Sequence, residues 1–428
     1  MKTPDYIGKY RVISELGKGA TGAVYLAEDT FKHRSVAIKL MFPEVLKDAE
    51  DGELYRRMFL NEASLAGKLL HPHIVSIFDA VVDEEMSYIV MEYVEGGTLE
   101  KFCKPDNLLG VSEVAEIIFK CVRALAFANT EGLIHRDVKP GNILHKSGTD
   151  IKLADFGAAL NVVSNKTQVA AVGSPLYMAP EIITGAKATL QSDIYAVGMV
   201  MYMMLAGRTP FEASNQASLA YQVVNHEPLP PSSFREGIPA AIEDIVKLAI
   251  AKDLNRRYKS YEEFGRDLAA IWESEHSPQQ AKGAVSDTEQ FSLLKTLTFF
   301  RSFPENELWE ILKISKWRSF PSETVLIKEG DLGDSFFILI TGNVKVTRGK
   351  RLLNVLGVGD CFGEMSYLSK RDAPRSATVT AGSDCIVMKV RAQDVDGATT
   401  DCRRLFDRKF LETLVERLET ANQQLAMT

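Results

Sequence analysis

The sequence predicts an α+β, multidomain protein that ends in a β-barrel or sandwich with flanking helices. Three observations carry this. A chain of 428 residues is longer than one hydrophobic core organises. Residues 10–40 alternate strand-like runs with a glycine turn, and a mostly helical half follows. After residue 290 the pattern changes to short alternating strands separated by glycine turns, as in TVLIKEGDLGDSFFILITGNVKV. A composition of 46% hydrophobic and 25% charged residues is that of a globular chain. The net charge of -7 argues against nucleic acid as a partner. The longest apolar run, Ile194 to Ala206, is too short to span a bilayer and reads as a buried helix. With no apolar signal segment at the N-terminus, the expectation is a cytoplasmic chain with no membrane partner. Cys103, Cys121, Cys361, Cys385 and Cys402 are odd in number and include no C-x-x-C pair, which predicts free thiols and no metal site built from them.

In order along the chain, Gly17, Gly19 and Gly22 form G-x-G-x-x-G. A dinucleotide fold needs a helix directly after such glycines. Ala23 to Ala27 instead read as a second strand, so the glycines form a hairpin lid suited to phosphates. Lys39 ends the apolar strand Val36-Ala37-Ile38-Lys39. A helix expected from Glu53 to Leu70 puts Leu54, Met58, Leu65 and Leu69 on one face, with Glu62 on that same face and no basic neighbour three or four residues away. An inward carboxylate of this kind needs a cation from elsewhere, and Lys39 is the candidate. A buried strand is expected over Tyr88–Val94 and a helix over Ser112–Asn129. The loop Ile134–Leu144, IHRDVKPGNIL, then brings an acid, a cation and a carboxamide within reach of one another: Asp137, Lys139 and Asn142. Asp155-Phe156-Gly157 follows a short strand, Ile151 to Ala154.

Together these stretches resemble the protein kinases, over roughly residues 6–272, and the resemblance implies a bilobal kinase fold. It makes Asp137 the base that accepts the substrate hydroxyl proton and Lys139 a stabiliser of the transferring phosphoryl group. Lys39 and Glu62 form the pair that positions the ATP phosphates, and Asn142 and Asp155 are the Mg²⁺ ligands. Gly17, Gly19, Gly22, Val24, Ala37, Met91 and the backbone of Glu92 and Val94 enclose the nucleotide. Lys139 in Asp-x-Lys-Pro points to serine or threonine acceptors in protein substrates. Arg136 would meet a phosphate on the activation loop, with Thr167 the first candidate and Ser164 the second. Ser174 stands where these enzymes usually carry threonine. Glu181 is expected to pair with Arg257, and Asp193 to cap the catalytic loop.

Residues 273–289, ESEHSPQQAKGAVSDTE, read as a flexible linker between residues 6–272 and a second domain, 290–428. In the second domain a helix is expected over Glu305–Ile314. In CFGEMSYLSKRDAPRSATV, a glycine and an acid precede a short turn, and an arginine precedes a small-residue strand. Backbone amides and Arg375 can take a phosphate, and Glu364 can accept from a ribose 2′-hydroxyl. The stretch resembles the phosphate-binding cassette of cyclic-nucleotide-binding domains, and E-G-D-x-G-D-S-F-F and Gly342 match as well. That implies a jelly-roll-like barrel with a site at Gly363, Glu364, Arg375 and Ser376 for cAMP or cGMP. The loop carrying Lys370, Arg371 and Asp372 is a residue or two longer than usual. A final helix, Asp401–Leu425, has apolar residues at Leu411, Leu414, Leu418, Ala421 and Leu425, suited to closing over the base or to pairing two chains. A ligand-free docking module is the alternative for this domain, and a non-catalytic scaffold the alternative for the whole chain.

Overall fold

The computed structural model describes residues 4–19, 21–46, 52–65, 67–83, 86–158, 160–161, 175–275, 287–349, 351–368 and 374–426. The chain divides into two compact units, 1–280 and 281–428.

The first unit opens with a six-stranded antiparallel sheet: β1 (Tyr6–Ile7), β2 (Tyr10–Lys18), β3 (Gly22–Asp29), β4 (Arg34–Met41), β5 (Ile77–Val81) and β6 (Ser87–Glu92), in the order β1-β2-β3-β4-β6-β5. Alternation decides its two faces. Ala23, Tyr25, Ala27, Val36, Ile38 and Val90 form one buried face. Register puts Val24 opposite Lys39, Leu26 opposite Ala37, and Ala37 opposite Met91, so these residues share the other face. Helix α1 (Gly52–Ser64) packs Phe59 against Met41 and Ile89 on that second face. It stops six residues short of the expected end, because Gly67 adopts a left-handed φ of 71° and breaks the helix. Leu65 and Leu69 are still buried, beyond the helix.

The helical half follows with α2 (Val111–Thr130), the hairpin β7 (Ile143–His145) and β8 (Ile151–Leu153), α3 (Leu190–Ala206), α4 (Ala240–Ala249) and α5 (Tyr261–Glu275). Helix α2 packs on α3 and α5, and α3 on α4. Apolar on all sides, α3 is buried from Ser192 to Ala206. Among the described residues no helix is long and apolar enough to cross a membrane.

The second unit begins with α6 (Asp287–Thr296) and α7 (Glu305–Ile314). The linker expected over 273–289 is therefore too long at both ends. Helix α5 runs on to Glu275, and α6 buries Phe291 and Leu294, an apolar pair too short to show as periodicity. The unit continues with β9 (Ser315–Phe320), β10 (Val325–Ile327), β11 (Ser335–Thr341), β12 (Val344–Arg348), β13 (Arg351–Leu356), β14 (Cys361–Phe362), the one-turn α8 (Met365–Leu368), β15 (Thr378–Ala381), β16 (Cys385–Arg391), a short helix over Ala392–Asp396 and α9 (Thr400–Ala426). The strands make two antiparallel four-stranded sheets, β9-β16-β11-β14 and β10-β15-β12-β13. Phe337, Leu339, Val344, Phe362, Val379 and Val387 fill the space between them as a sandwich core.

Helix α9 joins this domain through residues ahead of the expected apolar stripe, of which the side chains of Leu418, Ala421 and Leu425 lie outside the described residues. Its buried positions are Cys402, Phe406 and Phe410, four residues apart, while Leu411 and Val415 are exposed. Phe406 and Phe410 enter an aromatic cluster with Phe299, Phe303 and Phe336.

Candidate functional site

In the first unit, chemistry converges on the second face of the sheet and on the β7–β8 hairpin. Glu62 points inward and is 3% exposed, and Lys39 Nζ donates to its Oε2 at 2.8 Å. The same ammonium donates to Asp155 Oδ1 at 2.9 Å. Burial disfavours charge on Lys39, but Glu62 and Asp155 outweigh it and hold the ammonium above its ordinary range. Burial likewise works against a charged Asp155. Lys39, with His135 and Lys139 nearby, nevertheless brings its carboxyl below the usual range.

The loop ahead of β7 is tied down by Asp193, near the start of α3. Its Oδ2 accepts from the backbone N–H of His135 at 2.8 Å and its Oδ1 from that of Arg136 at 2.9 Å. The Tyr261 hydroxyl donates to Oδ2 at 3.2 Å. This grip holds Arg136 at a φ of 70°, a left-handed conformation that a long side chain rarely adopts. Burial lowers the Arg136 guanidinium, against the pull of Asp193. Asp155 also sits left-handed, at 64°, and Gly157 lies so close that an added Cβ would meet Asp155 Oδ1 and Glu62 Oε2 at 3.3 Å.

Lys139 Nζ and Asn142 Nδ2 both donate to Asp137 Oδ2, at 2.7 and 2.9 Å. Asn142 Nδ2 also donates to the Asp137 carbonyl at 2.8 Å, which fixes the amide orientation and leaves Oδ1 as its metal-facing acceptor. The hairpin register, Ile143 opposite Leu153, sets Asn142 and Asp155 at the same end of β7–β8. One carboxylate and one carboxamide oxygen, with Asp155 kept charged, fit a Mg²⁺ ion that keeps most of its water and takes phosphate oxygens. These are the residues that would hold it.

Further along the second face, Gly19 N–H donates to the Gly22 carbonyl at 2.8 Å and closes the glycine turn, while Gly17 pairs with Val24 across β2 and β3. The backbone N–H of Glu92 donates to Ser76, and its side chain pairs with Lys152 at 2.9 Å. Val94 lies two residues past the end of β6, so the strand expected over Tyr88–Val94 stops short of it. Glu181 meets Arg257 in a bidentate pair at 2.7 and 3.0 Å, with the arginine fully buried over Tyr195. Ser164, Thr167 and Ser174 lie outside the described residues. Tyr261 and Lys152 had no signal in the sequence, because their partners lie 68 and 60 positions away.

The second unit holds a cavity of about 220 Å³ lined by Gly363, Glu364, Arg375 and Ser376 among others. Arg375 donates to the carbonyls of Gly363 at 2.9 Å and Ser335 at 2.7 Å. Burial lowers its pKa, opposed by Asp334 and Glu364. The guanidinium rests against Gly333, where a Cβ would come within 2.4 Å of it, and against Gly363 at a φ of 76°. The two glycines make the space the arginine occupies. Glu364 pairs with Arg417 on α9 at 2.8 Å, a partner the sequence did not suggest because an arginine near the end of a polar helix reads as solvent-facing. Residues 370–372 lie outside the described residues.

Two family models match the chain: the protein kinase domain over residues 10–264 and the cyclic nucleotide-binding domain over residues 317–400. Among known proteins, the serine/threonine-protein kinase PknB of Mycobacterium tuberculosis is 35% identical over 316 residues, covering 72% of this chain and 50% of its own length. The serine/threonine-protein kinase PrkC of Bacillus subtilis is 37% identical over 284 residues, 66% of this chain and 43% of its own length. The chain thus spans half or less of the length of these relatives. From the ordered lysine–glutamate–aspartate cluster and the family match together, the chain belongs to the protein kinase family and carries a cyclic nucleotide-binding domain after its kinase domain.

Proposed function

We propose that the chain is a cytoplasmic serine/threonine protein kinase that moves the γ-phosphoryl group of ATP onto serine or threonine hydroxyls of protein substrates, under control of cAMP or cGMP bound by its C-terminal domain. The observation that carries the reading is Lys39 held between Glu62 at 2.8 Å and Asp155 at 2.9 Å. Lys39, fixed as an ammonium, binds and orients phosphate oxygens. Asp137 accepts the proton of the attacking hydroxyl, and Lys139, 2.7 Å from its carboxylate, neutralises charge as it builds on the phosphoryl group. Asn142 and Asp155 would hold Mg²⁺, which would supply charge neutralisation at the phosphates. In the second unit, Arg375 takes the cyclic phosphate and Glu364 the ribose hydroxyl, with Gly363 and Ser376 beside them.

The test is to titrate kinase activity on a generic basic protein, with ATP and Mg²⁺, against cAMP and cGMP. A saturable change with one nucleotide is the expected outcome; phosphate transfer indifferent to both would remove the regulatory half. A second reading makes the C-terminal domain a ligand-free module that pairs two chains. The Glu364–Arg417 pair and the exposed Leu411 and Val415 on α9 favour it. A concentration-dependent dimer that ignores both nucleotides would establish it.

A further inference from the structure

Arg417 on α9 is among the residues that line the C-terminal cavity. Arg417 Nη1 donates to Glu364 Oε1 at 2.8 Å, and Nη2 donates to the Cys361 carbonyl. This is not a surface ion pair of little worth, since the Glu364 side chain is only 6% exposed. A carboxylate so placed demands a donor, and α9 provides one. The same helix takes a second hold on the cassette. Tyr367, on α8 just after Glu364, donates to Asp407 Oδ1 at 2.7 Å, and its ring lies 5.4 Å from that of Phe410.

We propose that Arg417 is an internal competitor for the cyclic nucleotide. Its guanidinium holds the ribose acceptor until a sugar hydroxyl displaces it, so ligand binding enlarges the pocket and releases α9 from Glu364. The inference rests on the reading that this domain binds a cyclic nucleotide. Arg417 is therefore an affinity-setting residue, and its exchange with the ribose is the step that converts occupancy into movement of a helix.

The experiment uses the full chain, wild type and Arg417→Ala, with Arg417→Gln as a variant that keeps a weak donor for Glu364. Calorimetry measures binding of cAMP, cGMP and their 2′-deoxy analogues, and hydrogen exchange follows residues 400–417. Removal of the guanidinium is expected to tighten binding of the ribonucleotide about tenfold or more, the order of a charge-assisted hydrogen bond. The 2′-deoxy analogue should gain much less. Ligand should speed exchange in α9 of the wild type, and Arg417→Ala should do so without ligand. Binding by the variants alone supports the proposal in its strongest form. Equal or weaker binding by both variants, or slower exchange in α9 with ligand, overturns the competitor and leaves nucleotide binding intact. No binding by any folded variant, with a wild-type melting transition, overturns both.

Discussion

Lys39 and Asp137 do different work, and substitution separates them. Asp137→Ala removes a base from a loop that Asp193 still holds, so phosphate incorporation should fall by about 10²–10⁴-fold, the usual contribution of a positioned proton acceptor, with little change in melting. Lys39→Met should abolish autophosphorylation and also destabilise the first unit by about 3–5 kcal/mol, because it strands Glu62 in the interior. Radiolabel incorporation paired with chemical denaturation distinguishes the two. His73 adds a pH dependence. Burial, with His71 and Lys120 nearby, depresses its pKa well below 6.5, so the folded ring stays neutral where the unfolded one takes a proton. The unfolded state then binds more protons below pH 6.5, and stability should fall as pH drops through that value toward the folded pKa. Thermal melts between pH 7 and 5 for wild type and His73→Gln measure this, and the wild type should lose more. The meeting of Lys39 with Glu62 can be read from helical phase, since a lone acid on an apolar face demands a cation. That Asp155 shares the same ammonium cannot, because three-centre arrangements leave no periodic trace.

Among elements, α9 shows where pattern reading runs out. The sequence draws the eye to leucines from 411 onward, yet the helix anchors through Cys402, Phe406 and Phe410, which pack on aromatic residues more than 60 positions earlier in the chain. Two aromatic rings spaced one turn apart bury a large apolar area, and they dock the helix. Phe406→Ala should cost the C-terminal unit about 3–5 kcal/mol, measured by denaturant unfolding, and should raise hydrogen exchange along α9. Leu411 and Val415, one turn apart, stay exposed on this helix. The expected linker failed at its ends for a related reason. Phe291 and Leu294 are too few to register as a helix until their partners are known, while the strands from Val325 to Leu356, set off by glycines at 330, 342 and 357, are legible from their local pattern.

At the scale of the whole chain, the two units carry separate predictions, and Arg375 supplies the one for the C-terminal unit. Arg375→Ala should weaken cyclic-nucleotide binding by about 2–5 kcal/mol in calorimetry while phosphate transfer without nucleotide continues. Gly333 extends this to a residue that meets no ligand. A methyl group there meets the guanidinium of Arg375, so under the proposed function Gly333→Ala should weaken cyclic-nucleotide binding while phosphate transfer continues. A screen for unresponsive but active mutants would then return silent-looking loop glycines as often as the arginine they shelter.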